Sequence, residues 1–182
     1  MFNKDLMRGD VFGYNFIAKY LIHNSLTPIV KGITFFGGVV WLLILTILLV
    51  IFIKNRKIKI LICSNLVIIT LLNQVLKFIL ERPRPTEYRI INETGYSFPS
   101  GHSMISMAFY GFLIYLIYKY INNKHLKRTL IIILSVLICI IGVSRIYLGV
   151  HYTSDVLGGF LISISYLVIY ISAINKFLLD KE

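Results

Sequence analysis

Cysteines and acidic residues are both scarce in this 182-residue chain: two cysteines, and eight Asp and Glu together against nineteen Lys and Arg. Cys63 and Cys139 stand singly inside apolar runs with no Cys or His at ligand spacing, which excludes a disulfide framework and a thiolate metal site and leaves both as small core hydrophobes. The acids form no cluster that would ligate Mg²⁺. Internal repeats, low-complexity tracts, long linkers and any stretch polar enough for a soluble domain are missing as well, so repeat and multidomain layouts drop out. The opening MFNKDLMRGD is polar, and no short apolar core with a small-residue cleavage site follows it, so no secretory signal is expected.

What the chain has is apolar surface. At 57% hydrophobic, 14% aromatic and a mean hydropathy of +0.79, it is too apolar for a soluble domain of its length and reads as a membrane protein. A net charge of +11 would in a soluble protein suggest nucleic acid. Here the cations fall in short clusters between apolar segments, which membrane topology explains and a nucleic-acid partner does not. A hydrocarbon core of about 30 Å needs about 20 apolar residues in helix, and five runs approach that length: roughly 27–53, 60–80, 102–118, 130–147 and 156–174. The expected fold is all-α, one polytopic membrane domain over 1–182 with about five transmembrane helices, 1–26 as an interfacial segment and 27–176 as the transmembrane bundle that carries the site.

Orientation follows from the cations. Lys54, Arg56, Lys57 and Lys59 lie between the first and second runs, Lys119, Lys124, Lys127 and Arg128 between the third and fourth, and Lys176 and Lys181 after the fifth. These connections are expected in the cytoplasm. The others, 81–101 and 148–155, then share the opposite, outer face of the cell membrane, because simple up-and-down threading brings them together.

In the N-terminal segment, Phe12, Phe16, Ile17, Tyr20 and Leu21 fall on one helical side of a stretch too short and too polar to span. An amphipathic helix in the outer interface is expected, with two alternatives: an ordinary surface helix, or the remainder of a frame that has lost an upstream span.

Three short strings carry the chemistry, each where an apolar run begins or ends. In KFILERPRP, Lys77 and Arg84 lie seven residues apart across a helix end that Pro83 and Pro85 stop and stiffen, so both cations can turn over one site. Taken alone, such cations also snorkel to headgroups. Arg82 and Arg89 are read that way, and Glu81, Glu87 and Glu93 as solvated loop charges. In PSGH, Ser100 is placed to cap a helix, Gly101 lets an anion approach unpaired N–H groups, and His102 sits in the first turn, where a positive helix end makes its proton easier to donate. In SRIYLGVHYTSD, Arg145 ends an apolar run, where an unpaired charge would cost about 2.5 to 3.5 kcal/mol at mid-membrane and needs an anionic partner. His151 and Asp155 are four apart, so the carboxylate can hold one ring nitrogen and leave the other free. Each string alone also fits a plain capped or interfacial helix end.

Together they resemble the type 2 phosphatidic acid phosphatase family, whose signature is Lys-x6-Arg-Pro, Pro-Ser-Gly-His and Ser-Arg-x5-His-x3-Asp. Lys77, Arg84 and Pro85 match the first element, Pro99 to His102 the second, and Ser144, Arg145, His151 and Asp155 the third, with no signature position departing. The departure is N-terminal: bacterial integral-membrane members usually carry another span before the stretch corresponding to Asp10 to Thr27, and this chain begins too late to supply it.

The resemblance implies a phosphatase of lipid phosphates or diphosphates that needs no metal or other cofactor. It implies that His151 attacks phosphorus and becomes phosphohistidine, that Asp155 orients it, and that His102 protonates the leaving oxygen. Lys77, Arg84 and Arg145, with Ser100 and the backbone N–H of Gly101, would hold the phosphoryl oxygens. The expected partners are a lipid phosphate and the bilayer, with the oligomeric state open. An outer-face site favours undecaprenyl diphosphate, and phosphatidylglycerophosphate, phosphatidate and diacylglycerol diphosphate stay open. The related vanadium haloperoxidases are soluble, and so short and apolar a chain argues against that activity. A non-catalytic lipid-phosphate binder or flipping protein is the alternative of another class. It would need the cations but not His102, His151 and Asp155.

Overall fold

In the computed structural model, which describes residues 7–86 and 89–176, seven helices follow one another: α1 (Arg8–Tyr20), α2 (Thr27–Phe35), α3 (Val39–Phe52), α4 (Arg56–Leu80), α5 (Gly101–Tyr120), α6 (Lys124–Tyr147) and α7 (Thr153–Ile174). Side chains before the apolar runs start three of them. Asn55 accepts from Lys57 N at 2.9 Å, Ser100 from Ser103 N at 3.5 Å and Asn123 from Leu126 N at 3.0 Å, satisfying N–H groups that have no partner within the helix. Glu81 ends α4 in the left-handed conformation (φ 46°), and Pro83 and Pro85 prevent the helix from resuming.

Each of α4, α5, α6 and α7 is long and apolar enough to cross a membrane. Residues 27–53, expected as one continuous span, are instead α2 and α3, meeting at 47° across a three-residue break. The cause lies at Gly37, where a Cβ would come within 2.6 Å of Ile141 Cγ2, so only glycine lets this backbone lie on α6. Tyr110 Oη donates to the Phe36 carbonyl at 2.7 Å and accepts from Trp41 Nε1 at 3.0 Å. A carbonyl released by the break thus has a partner without water, as a bilayer requires.

Helix α5 is the centre of the bundle, with Met104, Ile105, Phe109 and Phe112 buried among Leu42, Ile62, Ile69, Ile141 and Leu167. Lipid is as apolar as these side chains, so burial alone drives little association there, and close packing between small residues must supply it. Cβ atoms added at Gly111, Gly142 and Gly158 would lie 2.7 Å from Leu167, 2.5 Å from Phe160 and 2.6 Å from Phe98, which marks three tight approaches. Val67, Leu71, Phe78, Leu161 and Val168 are exposed and form the lipid-facing exterior.

Helix α1 forms as expected, but its apolar side is divided. Ile17 is buried against Ile146, Tyr147 and Val150, whereas Phe12, Phe16, Tyr20 and Leu21 point outward, with centroids 6.5 Å apart for Phe12–Phe16 and 5.0 Å for Phe16–Tyr20. The inward side also carries Asp10 and Gly13, and Gly13 lies so close to Thr153 that a Cβ would come within 2.2 Å of its Oγ1. The three signature strings meet at the end of the bundle where α4 stops and α5 and α7 begin.

Candidate active site

Arg84 is held by backbone before it meets any ligand. Its Nε donates to Gly95 O, its Nη2 to Thr94 O and its Nη1 to Val150 O, all at 3.0 Å, so the rigid Arg-Pro exit from α4 delivers a guanidinium with little rotamer freedom left. Its Nη1 also lies 3.1 Å from His151 Nε2. A guanidinium can only donate, so Nε2 must accept, and the ring proton then sits on Nδ1. Nδ1 faces Asp155 Oδ2 at 3.4 Å. Two neighbours thus select the tautomer whose lone pair lies at Nε2.

His151 is almost fully buried, and that burial, aided by the Arg84 and Arg145 cations and opposed by Asp155, pushes its pKa down to about 4. The imidazole is neutral near pH 7, the form whose ring lone pair is available. Asp155 in turn is over-determined: Oδ2 accepts from Tyr152 N at 2.8 Å and from Ser97 Oγ, and Oδ1 from Arg82 Nη1 at 2.6 Å.

Arg145 is 1% exposed, the largest fully buried side chain among the described residues. Its Nη2 donates to Glu93 Oε1 at 2.7 Å and its Nη1 to Thr34 Oγ1 at 2.9 Å, while its Nε is buried with no hydrogen-bond partner among the described residues. Such an orphaned charged donor suits an incoming oxyanion. Burial would raise the pKa of Glu93, but the Arg145 hydrogen bond and the charges of Arg145, His102 and Arg84 outweigh it and hold the carboxyl below its usual range.

Lys77 reaches from the last turn of α4 to the carbonyls of Tyr96 and, at 3.5 Å, Ser97. It borders a cavity of about 350 Å³ shared with Arg84, Thr94 and Tyr96. Ser100, buried, accepts from Ser103 Oγ at 3.0 Å while its N–H donates to Asp155 O at 3.1 Å, tying the start of α5 to the start of α7. A Cβ on Gly101 would lie 3.2 Å from Asn73 Oδ1, so glycine here lets α4 and α5 close together. His102 is half-buried against the break between α2 and α3, where a Cβ on Gly38 would lie 3.7 Å from its Nε2. Among the described residues the structure therefore gathers Lys77, Arg84, Ser100, Gly101, His102, Arg145, His151 and Asp155 at one end of the bundle.

Residues 39–178 match the PAP2 superfamily. The chain belongs to the PAP2 superfamily. Phosphatidylglycerophosphatase B of Bacillus subtilis (strain 168) is 46% identical over 92 residues, half of this chain and 45% of that protein, so the chain spans less than half the length of this relative. The undecaprenyl-diphosphatase of Sulfolobus acidocaldarius is 31% identical over 176 residues, 88% of this chain and 80% of that one. Among solved structures, a transmembrane PAP2-type phosphatidylglycerolphosphate phosphatase from Bacillus subtilis superposes with a TM-score of 0.83 at 31% identity, covering 92% of this chain and 85% of that one. Aquifex aeolicus LpxE, at 24% identity and a TM-score of 0.75 over 93% and 99% of the two chains, shares the fold.

This PAP2 protein also assigns charges that sequence reasoning set aside. Arg82, read as interfacial, is instead clamped inside, with Nη1 on Asp155 and on Ser154 Oγ at 2.7 Å, Nη2 on Asp10 Oδ2 at 2.8 Å, and its guanidinium 4.3 Å from the Tyr152 ring centroid. Glu93, read as a solvated loop charge, is the partner that Arg145 needs. Glu81 is exposed as expected and accepts from Tyr96 Oη at 3.1 Å; Glu87 lies outside the described residues. Ser97, Thr34 and Asn73, whose Nδ2 donates to Pro99 O at 3.3 Å, were missed because an uncharged side chain carries no local signal of a partner distant in sequence.

Proposed function

We propose that this membrane protein is a lipid phosphate phosphatase that works through a phosphohistidine. The carrying observation is the His151 ring, gripped at Nδ1 by Asp155 and faced at Nε2 by Arg84, with Arg145 and Lys77 arriving from two other helices. Nε2 of His151 attacks phosphorus and the bond to the lipid oxygen breaks. His102 gives that oxygen its proton, and water, losing a proton back to His102, then splits the phosphorus–nitrogen bond and releases inorganic phosphate. Lys77, Arg84, Arg145 and the N–H of Gly101 at the positive end of α5 hold the equatorial oxygens as charge builds on them. Ser100 shapes that helix end.

The cation clusters between the spans argue that the site faces the outer leaflet. For the substrate, phosphatidylglycerophosphate comes first, supported by the 46% identity to phosphatidylglycerophosphatase B and the 0.83 TM-score. Undecaprenyl diphosphate is the second reading, favoured by the outer-face orientation and by a relationship that runs along 88% of the chain. The experiment is phosphate release in detergent micelles from these two lipids and phosphatidate. The expected result is turnover of at least one, abolished in His151→Ala and inhibited by vanadate, which mimics five-coordinate phosphorus. Absence of release from all three, or release undiminished in His151→Ala, would refute it.

A further inference from the structure

Around Asp155 the structure builds more than a His–Asp pair. Two carboxylates, Asp155 and Asp10, sit at the N-terminal end of α7, which carries partial positive charge. Asp155 accepts from Tyr152 N at 2.8 Å, and Asp10, contributed by α1, accepts from Ser154 N at 2.7 Å and from Ser154 Oγ at 3.0 Å. Arg82 bridges them, with Nη1 2.6 Å from Asp155 Oδ1 and Nη2 2.8 Å from Asp10 Oδ2, and the Tyr152 ring covers its face. All three side chains are 15% exposed or less. The groups facing Asp155 are therefore Arg82, His151, Ser97 and the amide of Tyr152, and the group facing Arg82 from the far side is Asp10.

The geometry has a direct consequence for the nucleophile. With Arg82 on Oδ1, the carboxylate cannot rotate, and Oδ2 stays turned toward His151 Nδ1. Without it, Oδ1 would lose its charge-assisted bond and both oxygens would compete for Ser97, Tyr152 N and the imidazole. We propose that Arg82, itself held by Asp10 of the N-terminal helix, is a positioning residue that sets the Asp155–His151 pair, so that docking of α1 on α7 is part of the catalytic assembly. This rests on the phosphatase reading above and extends it to residues outside the family signature. Neither Arg82 nor Asp10 need touch substrate, so their loss should appear in kcat and spare KM.

The test uses the full chain in mixed micelles of detergent with whichever of phosphatidylglycerophosphate, undecaprenyl diphosphate and phosphatidate the wild type turns over. Arg82→Ala is expected to lower kcat by about tenfold or more with KM within about twofold. Guanidinium ion added to Arg82→Ala should restore part of the lost kcat and do nothing for Asp155→Ala. Arg82→Lys and Asp10→Asn should fall between wild type and Arg82→Ala. A wild-type kcat in Arg82→Lys and Asp10→Asn, a KM rise at constant kcat, or no response of folded Arg82→Ala to guanidinium would overturn the proposal. Should Arg82→Ala fail to fold, the two milder variants decide it. A readout without turnover is the NMR titration of His151 in histidine-labelled protein: a midpoint displaced by Arg82→Lys or Asp10→Asn supports the coupling, and one unmoved in both overturns it. Failure of the phosphatase reading looks different, since the wild type itself would then release no phosphate.

Discussion

Glu93 Oε1 lies 2.7 Å from Arg145 Nη2, so the most deeply buried cation of the site already holds an anion. A phosphoryl group that uses Arg145 must share it with this carboxylate or displace it. Glu93→Gln removes the competing charge while keeping an acceptor, so vanadate should inhibit about three- to tenfold more tightly, while the melting temperature falls because Arg145 loses its ion partner. An unchanged inhibition constant would show that the carboxylate and the oxyanion do not compete.

Arg84 and Arg89 separate a built position from a bystander. Arg84 makes three bonds to carbonyls and faces His151, whereas Arg89 is exposed and bonds only the nearby Pro85 carbonyl among the contacts described. Arg84→Ala should lower kcat/KM by about a hundredfold and Arg89→Ala by less than about threefold. Equal losses would move the phosphate toward Arg89.

Stability should depend on pH through His151. Its folded pKa is depressed to about 4 from 6.5, so between these values the unfolded chain binds a proton that the folded one refuses. The contribution is complete above pH 6.5 and is lost as pH falls toward 4, amounting to a few kcal/mol. Thermal melts in detergent should show that decline, and His151→Gln should flatten it. An identical slope in the variant would place the titration elsewhere.

Gly37 and Gly32 make a matched pair. A Cβ at Gly37 meets Ile141 at 2.6 Å and His102 Cδ2 at 3.3 Å, while one at Gly32 meets nothing within 4 Å. Gly37→Ala should destabilise by about 1–3 kcal/mol and depress turnover by shifting His102, and Gly32→Ala, in an open helical position, should be neutral or stabilising by up to about 1 kcal/mol. Full activity in Gly37→Ala would show that the break tolerates a side chain.

Topology is testable by cysteine labelling. Asn123 caps α6, so the neighbouring exposed Asn122 is the better probe of that connection. In a background lacking Cys63 and Cys139, an impermeant maleimide should label Asn92→Cys in intact cells and leave Asn122→Cys unlabelled. The reverse pattern would put the site in the cytoplasm.

Much of this was legible in the residues themselves. Long apolar runs between cationic clusters imply spanning helices, and Lys77, Arg84, His102, Arg145, His151 and Asp155 stand at run ends, where a membrane permits charge only for a reason. What stayed hidden depends on a partner distant in sequence. Hydropathy averages across Gly37 and Gly38 and reports one helix, because the break is dictated by Ile141 and Tyr110 on other helices. Arg82 and Glu93 look like ordinary loop charges until folding brings Asp10 and Arg145 to them. Ile17 was grouped with the outward aromatics because helical periodicity has too coarse an angle to divide one face between protein and surroundings.

The bond between Asp10 and Ser154 joins residues 144 apart, the start of the described chain to its last helix. Helices leave the ribosome in order, so α1, α4 and α5 exist before the segment bearing His151 and Asp155 has been made. A partly synthesised chain has its cations in the bilayer but no organised imidazole–carboxylate pair. The imidazole–carboxylate pair can therefore take shape only once α7 has been made and its first turn meets Asp10 of α1 and Arg82 beyond α4.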